Sequence, residues 1–160
     1  MEAKRVSDSA MVMAHQMGPH HANPAGNVHG GVTMKLVDTV AAVVAIRHAR
    51  RLAVTASIDR LDFHYPVYVG DVLILKASLN MVGKTSMEVG VRVEAENIIT
   101  GKVHHAASAY LTFVALDDNH NPTQVPGLIL ERAEDQRRNR EAYARRQLRL
   151  AEKSSEGNPH

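Results

Sequence analysis

The sequence predicts an α+β fold in which an antiparallel sheet wraps around one long central helix, with a second helix after the sheet. The segment from Gly31 to Ala49 has too many consecutive apolar residues for a half-buried strand, so we interpret it as a buried helix. Four segments with strand character follow it without an intervening helix, an order that argues against a doubly wound nucleotide-binding fold. Together these observations favour one sheet packed against one helix.

Length and composition favour a single domain. The chain has 160 residues, 44% of them hydrophobic, and it contains no cysteine, which excludes disulfides and thiolate metal sites. No apolar block reaches the length of a signal peptide or of a membrane span. We therefore expect a cytoplasmic protein without a membrane partner.

The charge distribution argues against a nucleic-acid partner. The pI is about 9.0, yet residues 1–127 hold 11 basic and 11 acidic residues, so the net charge of +2 comes from residues 128–160. Aromatic residues make up 4% of the chain, which leaves little surface for stacking on single strands. RNA binding by the basic C-terminal segment stays as an alternative, which RNA retention by the intact chain would test.

The first part of the chain leads into the central helix. An apolar run within Val6–Met17 predicts a first strand, and His20–Gly31 is predicted to be a loop. Three arginines and a histidine within residues 47–51 suit the negative end of the helix dipole, so they indicate a helix terminus rather than a ligand site.

The sheet is predicted to contain four long strands after this helix: Leu52–Tyr65, Val72–Met81, Ser86–Ile98 and Lys102–Leu116. In the third strand, apolar residues from Met87 to Ala95 alternate with charged residues, which predicts one dry face and one wet face. In the first of the four, the apolar positions change phase near Arg60, which predicts a bulge or a strong bend.

The C-terminal segment is predicted to be a basic helix followed by a tail. Arg137 and Glu141, and Glu141 and Arg145, are four residues apart, which is the spacing of ion pairs on a mostly solvated helix. The tail has the composition of a disordered end. The predicted organisation is a domain at residues 1–127, a basic helix at residues 128–153 and a disordered tail at residues 154–160.

The chemistry is concentrated in residues 23–46, where a turn-forming loop ends in paired glycines and continues into the central helix. Asp38 lies on the same side of this helix as Met34 and three alanines, so the pattern places a carboxylate among small apolar groups. Nothing nearby in sequence pairs with it. A catalytic acid and a structural ion pair with another part of the fold are both open on spacing alone.

These residues resemble the single-domain hotdog-fold acyl-CoA thioesterases, the group of short bacterial enzymes and brain-type acyl-CoA hydrolases. The resemblance extends from about Ala10 to Glu131 and has one departure, because His29 stands where an aromatic residue commonly precedes the paired glycines. Its main signature consists of residues in the loop and the central helix: Asn23, Gly26, His29–Gly31, Met34 and Asp38. Further blocks support it in the same order: Asp59–Phe63, Pro66, Val69–Asp71, Gly83–Met87 and Ala109–Val114.

The resemblance implies a hotdog fold, pairing of two chains edge to edge, and often three such dimers in a hexamer. It implies hydrolysis of a fatty acyl-CoA thioester at the dimer interface, with Asn23 of one subunit near Asp38 of the other. It brings in neither a metal nor a cofactor, since coenzyme A is part of the substrate and the product. A non-catalytic protein that binds or senses acyl-CoA on the same fold is the alternative.

Thioester hydrolysis needs an activated water on one side and hydrogen-bond donors for the developing oxyanion on the other. The backbone N–H groups around Gly30 and Gly31, at the start of the helix, are candidate oxyanion donors. Asp38 is a candidate base acting on water or a nucleophile that forms a mixed anhydride, and both routes stay open. Asn23 is a candidate for holding the water or the carbonyl, with an ordinary turn residue as the alternative.

Other residues have weaker claims. Thr39 and Thr55 carry hydroxyls that would suit a water, although packing is the favoured interpretation of both. His29 is a candidate substrate contact. The adjacent pairs His20–His21 and His104–His105 are not spaced to share a face, so no metal site is expected.

The phosphates of coenzyme A need basic partners at the rim of the site. The candidates are Arg60 and a turn after the second long strand, for which a surface turn and a solvated charge are the alternatives. The turn consists of four residues: Gly83, Lys84, Thr85 and Ser86. Arg137, Arg138 and Arg140 are interpreted as part of a solvated face rather than as ligands of a neighbouring subunit's substrate.

Overall fold

The computed structural model, which describes residues 1–157, contains a five-stranded antiparallel sheet, a two-stranded parallel ladder and two α-helices. In chain order the elements are β1 (Lys4–Arg5), β2 (Met11–Gln16), α1 (Gly30–Ala49), β3 (Leu52–Phe63), β4 (Val72–Val82), β5 (Ser86–Glu96), β6 (Val103–Leu116), β7 (Leu128–Ile129) and α2 (Ala133–Glu156). This arrangement confirms the predicted α+β class. Neither α1 nor α2 combines the length and the apolarity that a membrane span requires, within the residues described.

The central helix α1 lies against the inner face of the sheet. It begins where the His29 side chain accepts a hydrogen bond from the Gly31 N–H, and it ends at Arg50, whose φ of 53° is in the left-handed region. Its buried residues are mainly Val and Ala, which pack on the apolar alternate positions of the strands. On β4 these inner-face positions include Leu73, Leu75 and Leu79.

The strands of the main sheet follow the order β2-β4-β5-β6-β3, so β3 forms one edge. All four long strands agree with the prediction to within two residues at each end. The first strand, predicted in the apolar run of residues 10–14, is confirmed as β2, and Val6–Asp8 before it forms a 3-10 turn. The bulge predicted near Arg60 is confirmed, since the pairing of β3 with β6 slips between Ile58 and Arg60 and leaves Asp59 as the extra residue.

The C-terminal helix differs from its prediction in extent. It begins at Ala133 rather than at residue 128, because Leu128 and Ile129 pair with β1. It continues through Glu156, so residues 154–156 of the predicted tail are helical, whereas residues 158–160 of that tail lie outside the described part.

The position of α2 also corrects the prediction that the outer face of β5 is exposed to solvent. The helix lies across the outer face of the sheet, where Asn139 donates to the Asn80 carbonyl at 2.9 Å and Arg145 forms an ion pair with Glu88 at 2.7 Å. The predicted pair of Glu141 and Arg145 is therefore wrong, and Glu88 is only 2% exposed. The pair of Arg137 and Glu141 is confirmed at 3.2 Å, and most of the helix is solvated as expected.

Candidate active site

Asp38 of α1 is hydrogen-bonded to Thr55 of the edge strand β3. The Thr55 hydroxyl donates to Oδ1 of the carboxylate, with an oxygen–oxygen distance of 2.6 Å. A hydroxyl bond of this length to a charged acceptor is strong and fixes the orientation of the carboxylate. No other hydrogen bond to Asp38 is found among residues 1–157, so Oδ2 is available to a reactant.

This contact changes two interpretations based on the sequence. The sequence favours packing for Thr55, but its hydroxyl is the partner of the candidate catalytic acid. Asp38 is also only half-buried within one chain, and its helix neighbour Met34 is exposed. The apolar side of α1 that carries them is therefore open at the β3 edge.

The paired glycines at the start of α1 differ in what their N–H groups do. The Gly31 N–H donates to Nδ1 of His29 at 3.0 Å, so this predicted oxyanion donor is occupied in the structure. The Gly30 N–H has no partner within the described chain. A Cβ at position 30 would make an ordinary contact with the Phe63 ring at 3.5 Å, so the start of the helix lies beside an aromatic side chain.

His29 therefore has a local structural role, whatever else it contacts. Its Nδ1 is an acceptor, which requires the imidazole to be unprotonated at that nitrogen. The residue is exposed, so a substrate can reach its side chain.

Asn23 forms the turn that its neighbour Pro24 suggested. Its side-chain Oδ1 accepts from the Ala25 N–H at 2.9 Å, and its carbonyl accepts from the N–H of Gly26, which has a φ of 91°. The acceptor of the amide is thus occupied, while no bond to Nδ2 is found within residues 1–157. No hydrogen bond joins Asn23 to Asp38 within this described chain.

A second histidine holds the same loop. Nδ1 of His21 accepts from the Gly18 N–H at 2.9 Å, and its carbonyl accepts from the His29 N–H at 2.8 Å. Desolvation, followed by the nearby His20 and His15, lowers the pKa of His21 below its ordinary value. The geometry of the loop therefore belongs to the neutral form of the histidine. No group of three or more potential metal ligands occurs in the described part of the chain.

The candidates for binding coenzyme A lie in separate places. The Gly83–Ser86 segment is the β4–β5 turn, and Lys84 is exposed while its carbonyl accepts from Val125. Ser86 pairs with Val114 of β6, and Val114 pairs in turn with Val54 of β3, the residue before Thr55. The turn is therefore two strand spacings, or about 10 Å, from Val54.

Arg60 lies further along β3 and has a partner of its own. Its Nε donates to Oδ2 of Asp62 at 2.6 Å, and both side chains are largely exposed. The structure therefore brings Asp38 and Thr55 together, places Gly83–Ser86 toward the same end of the sheet, and leaves Arg60 in a different row of the sheet.

Comparison with known proteins identifies the family. The profile of the thioesterase superfamily matches residues 25–102. An acyl-CoA thioester hydrolase of Bacillus subtilis, itself uncharacterised, is 38% identical over 134 residues, which cover 84% of this chain and 78% of that protein. The chain belongs to the thioesterase superfamily. The cytosolic acyl coenzyme A thioester hydrolase of the rat is 38% identical over 146 residues, or 90% of this chain, which spans only 38% of the rat protein.

Solved structures of other superfamily members confirm the hotdog fold. An apo-hexameric acyl-CoA thioesterase superimposes with a TM-score of 0.92 at 34% identity, covering 95% of this chain and 97% of that one. The acyl-CoA hydrolase of Staphylococcus aureus, in complex with butyryl coenzyme A and coenzyme A, superimposes with a TM-score of 0.90 at 35% identity, covering 97% of this chain and 94% of that one.

The Staphylococcus aureus hydrolase has also been solved with single alanine replacements of an asparagine, an aspartate and a threonine. In that chain these three positions are separated by 15 and then 17 residues. Asn23, Asp38 and Thr55 have the same two separations in this superfamily member.

Proposed function

We propose that this chain is an acyl-CoA thioesterase, which hydrolyses a fatty acyl-CoA to a free fatty acid and coenzyme A. The observation that carries the proposal is the Asp38 carboxylate of α1, held on one oxygen by Thr55 and free on the other. The names of the relatives and the matching spacing of an asparagine, an aspartate and a threonine in a hydrolase that binds coenzyme A support it.

In the general-base route, Oδ2 of Asp38 takes a proton from water while the water oxygen attacks the thioester carbonyl carbon. Collapse of the tetrahedral intermediate breaks the carbon–sulfur bond, and the thiolate of coenzyme A recovers the proton. In the nucleophilic route, Oδ2 attacks the carbonyl carbon itself, the thiolate leaves, and water then hydrolyses the mixed anhydride. In both routes Thr55 keeps the reacting oxygen turned away from β3.

The oxyanion is assigned to the Gly30 N–H of a second chain rather than to both glycines, because Gly30 lies about 12 Å before Asp38 along the same helix. This group has no partner among the described residues, and it lies at the positive end of the α1 dipole, where developing negative charge is stabilised. The Gly31 N–H contributes only if His29 releases it, so His29 determines how many donors the site offers.

We propose that two chains pair along β3 to complete the site, with the free amide nitrogen of Asn23 from one chain directed at the Asp38 region of the other. The edge strand carries exposed large apolar residues on both of its faces, which suits such a contact: Leu52 and Val54 on one face, Ile58 and Phe63 on the other. The hexameric thioesterases among the structural neighbours support further assembly as a trimer of dimers.

The proposed reaction uses a carboxylate, water and backbone donors, so it requires no cofactor, and coenzyme A enters only as part of the substrate. A cytoplasmic location is proposed as well, since the rat relative is a cytosolic hydrolase.

The test replaces Asp38 with the nearly isosteric asparagine and measures thiol release from acyl-CoA. We expect a loss of about 10²–10⁴-fold in kcat, the range for a positioned base, with folding intact by circular dichroism. Turnover like that of the unchanged protein would move the chemistry elsewhere. If the unchanged protein releases no thiol from any acyl-CoA between acetyl and palmitoyl, the chain is instead a binding or sensing protein.

A matched pair of threonine variants isolates the contact that orients Asp38. We expect Thr55→Val to lower kcat by about tenfold or more, since one charge-assisted hydrogen bond is lost, and Thr55→Ser to restore most of it. Thr39→Val is the control, because the Thr39 hydroxyl donates to the Lys35 carbonyl of its own helix. A single turnover in ¹⁸O-labelled water tests the nucleophilic route, since label enters the Asp38 carboxylate only when water opens an anhydride at the aspartyl carbonyl.

A further inference from the structure

A cavity of about 480 Å³ lies on the outer face of the sheet, under α2 and on the opposite side from Asp38. Its floor is formed by outward-facing residues of β4, β5 and β6, and its roof by the first half of α2. The volume lies within the range of pockets that hold small organic ligands.

Small residues at the centre of the floor give the cavity its depth. The register places Ser78 opposite Gly90 and Gly90 opposite Tyr110, in one row across three strands. A side chain at position 90 would lie 2.7 Å from the Asn80 amide, so it would displace that amide from its hydrogen bond to Glu88. The neighbouring row contributes the polar residues Lys76, Arg92 and Ser108.

The wall of the cavity carries more cations than carboxylates. The lining contains six cations and two acids. The cations are Lys76, Arg92, Arg132, Arg137, Arg138 and Arg145, and the acids are Glu134 and Glu141. Three further carboxylates pair with these cations from outside the lining and leave one positive charge in excess: Glu88, Glu94 and Asp135.

The pairing leaves hydrogen-bond donors unused. Lys76 and Arg92 share the single carboxylate of Glu94, at 2.8 and 3.3 Å. Arg138 contacts Oε1 of Glu134 at 2.8 Å, whereas Arg137 has Glu141 as its own partner at 3.2 Å. A guanidinium has five donors in a planar fork, so a contact to one carboxylate leaves most donors of Arg92 and Arg138 unused. Lys76 and Arg92 of the floor and Arg138 of the roof all line the same cavity.

Arg145 is already committed and forms a rigid end to the cavity. It binds Glu88 through two nitrogens, at 3.2 and 2.7 Å, and its guanidinium stacks 3.7 Å above the Tyr110 ring. The free capacity therefore lies with Lys76, Arg92 and Arg138, which also approaches the Ser78 hydroxyl at 3.5 Å.

We propose that this cavity binds the phosphate groups of a nucleotide, with Lys76, Arg92 and Arg138 as the phosphate ligands and the small floor residues making room for it. Two sources share this chemistry. One is a free nucleoside diphosphate, and the other is the adenosine diphosphate portion of coenzyme A, brought to this face by a neighbouring subunit.

The test is calorimetric titration of the full chain with ADP, as the unchanged protein and as Arg92→Gln, Arg138→Gln and Arg140→Gln. The first two changes remove a proposed ligand, and we expect each to weaken binding at least about tenfold, since a charge-assisted contact to phosphate is lost. Arg140 is the matched control, because it is an exposed arginine of α2 that does not line the cavity. The Arg140→Gln variant should bind ADP like the unchanged protein.

Competition with coenzyme A then separates the two sources. If coenzyme A displaces ADP and is weakened by the same two replacements, the cavity holds the nucleotide portion of the substrate. If coenzyme A leaves ADP binding unchanged, the cavity is a separate nucleotide site. No heat of binding with ADP at millimolar concentration, or equal weakening in all three variants, overturns the proposal. Thiol release by the same variants reports independently on the activity at Asp38.

Discussion

The two faces of the five-stranded sheet are covered by helices of opposite character. On the inner face, α1 buries Val37, Val40 and Val44 in the apolar core. On the outer face, α2 buries only Asp135 and Ala142 and is held by directed polar contacts. Burial of apolar side chains stabilises the folded state but does not fix the orientation of a helix. Hydrogen-bonded ion pairs fix the position of a helix but add little net stability. The fold therefore depends on the inner face, and the outer face determines where α2 lies.

The proposed chemistry lies at the border of the apolar face. Asp38 is on the inner helix, but it is bound by a hydroxyl from the edge strand and is half-exposed in one chain. The inner face thus supplies a rigid support, and the open edge supplies access.

The largest expected effect on stability comes from a substitution that creates a cavity in the core on the inner face of the sheet. Leu75 is fully buried, and Leu75→Ala should lower the free energy of unfolding by about 2–5 kcal/mol, through lost transfer energy and residual empty volume. Leu148→Ala is the control, because Leu148 of α2 is exposed and its loss should stay within about 0.5 kcal/mol. Urea denaturation measures both, and similar losses in the two variants would remove the contrast between the faces.

The next effect comes from breaking the buried ion pair on the outer face. Glu88→Gln leaves Arg145 without its counter-charge, and we expect a loss of about 1–3 kcal/mol, less than for a fully buried pair because Arg145 is partly exposed. Replacing both residues together, as Glu88→Leu with Arg145→Met, should restore part of the stability, since the buried Asn80 amide still loses its acceptor. A double variant as unstable as the single one would show that the outer face contributes stability as well as position.

A smaller effect is expected from pH, through His48 at the end of α1. Burial lowers the pKa of His48, although the bond to the Pro126 carbonyl, 2.8 Å away, opposes the shift. The folded state then binds fewer protons than the unfolded state, so stability should fall as the pH drops below the unfolded value of about 6.5. His48→Gln should flatten this dependence between pH 8 and pH 5.5 by up to about one proton. An unchanged slope would place the linkage in other groups.

The smallest effect should come from the solvated side of α2. Arg137 pairs with Glu141 at 3.2 Å, and both side chains are about half exposed. Arg137→Ala should therefore change the free energy of unfolding by only a few tenths of a kcal/mol, and less at high salt. A loss above about 1 kcal/mol in urea denaturation would contradict the view of this surface as solvated.

Local periodicity is why most of the fold could be predicted. The helix, the four long strands and the bulge near Arg60 are all visible within windows of a few residues. The outer face was not predicted, since Glu88 has the alternation of a wet-face residue and only the docked α2 buries it. Ala142 within a charged helix, together with the small Ser78 and Gly90, is the signal that would have indicated a covered surface.

The site shows the same division between local and distant information. Asp38 stands out from its helix pattern, but its partner Thr55 is 17 residues away, and their contact exists only because β3 packs beside α1. The capture of the Gly31 N–H by His29 depends on one side-chain rotation at the helix start, which no spacing pattern encodes.

The docking of α2 sets an order for folding. The anchors of this helix come from four strands: Asn80 of β4, Glu88 of β5, Tyr110 of β6 and Asp59 of β3, which pairs with Arg149. None of these anchors is in place until the strands are in register, so α2 has no surface to dock on before the sheet forms. It should therefore be the last element to settle and the first to exchange its amide protons, with β4, β5 and β6 as the most protected unit.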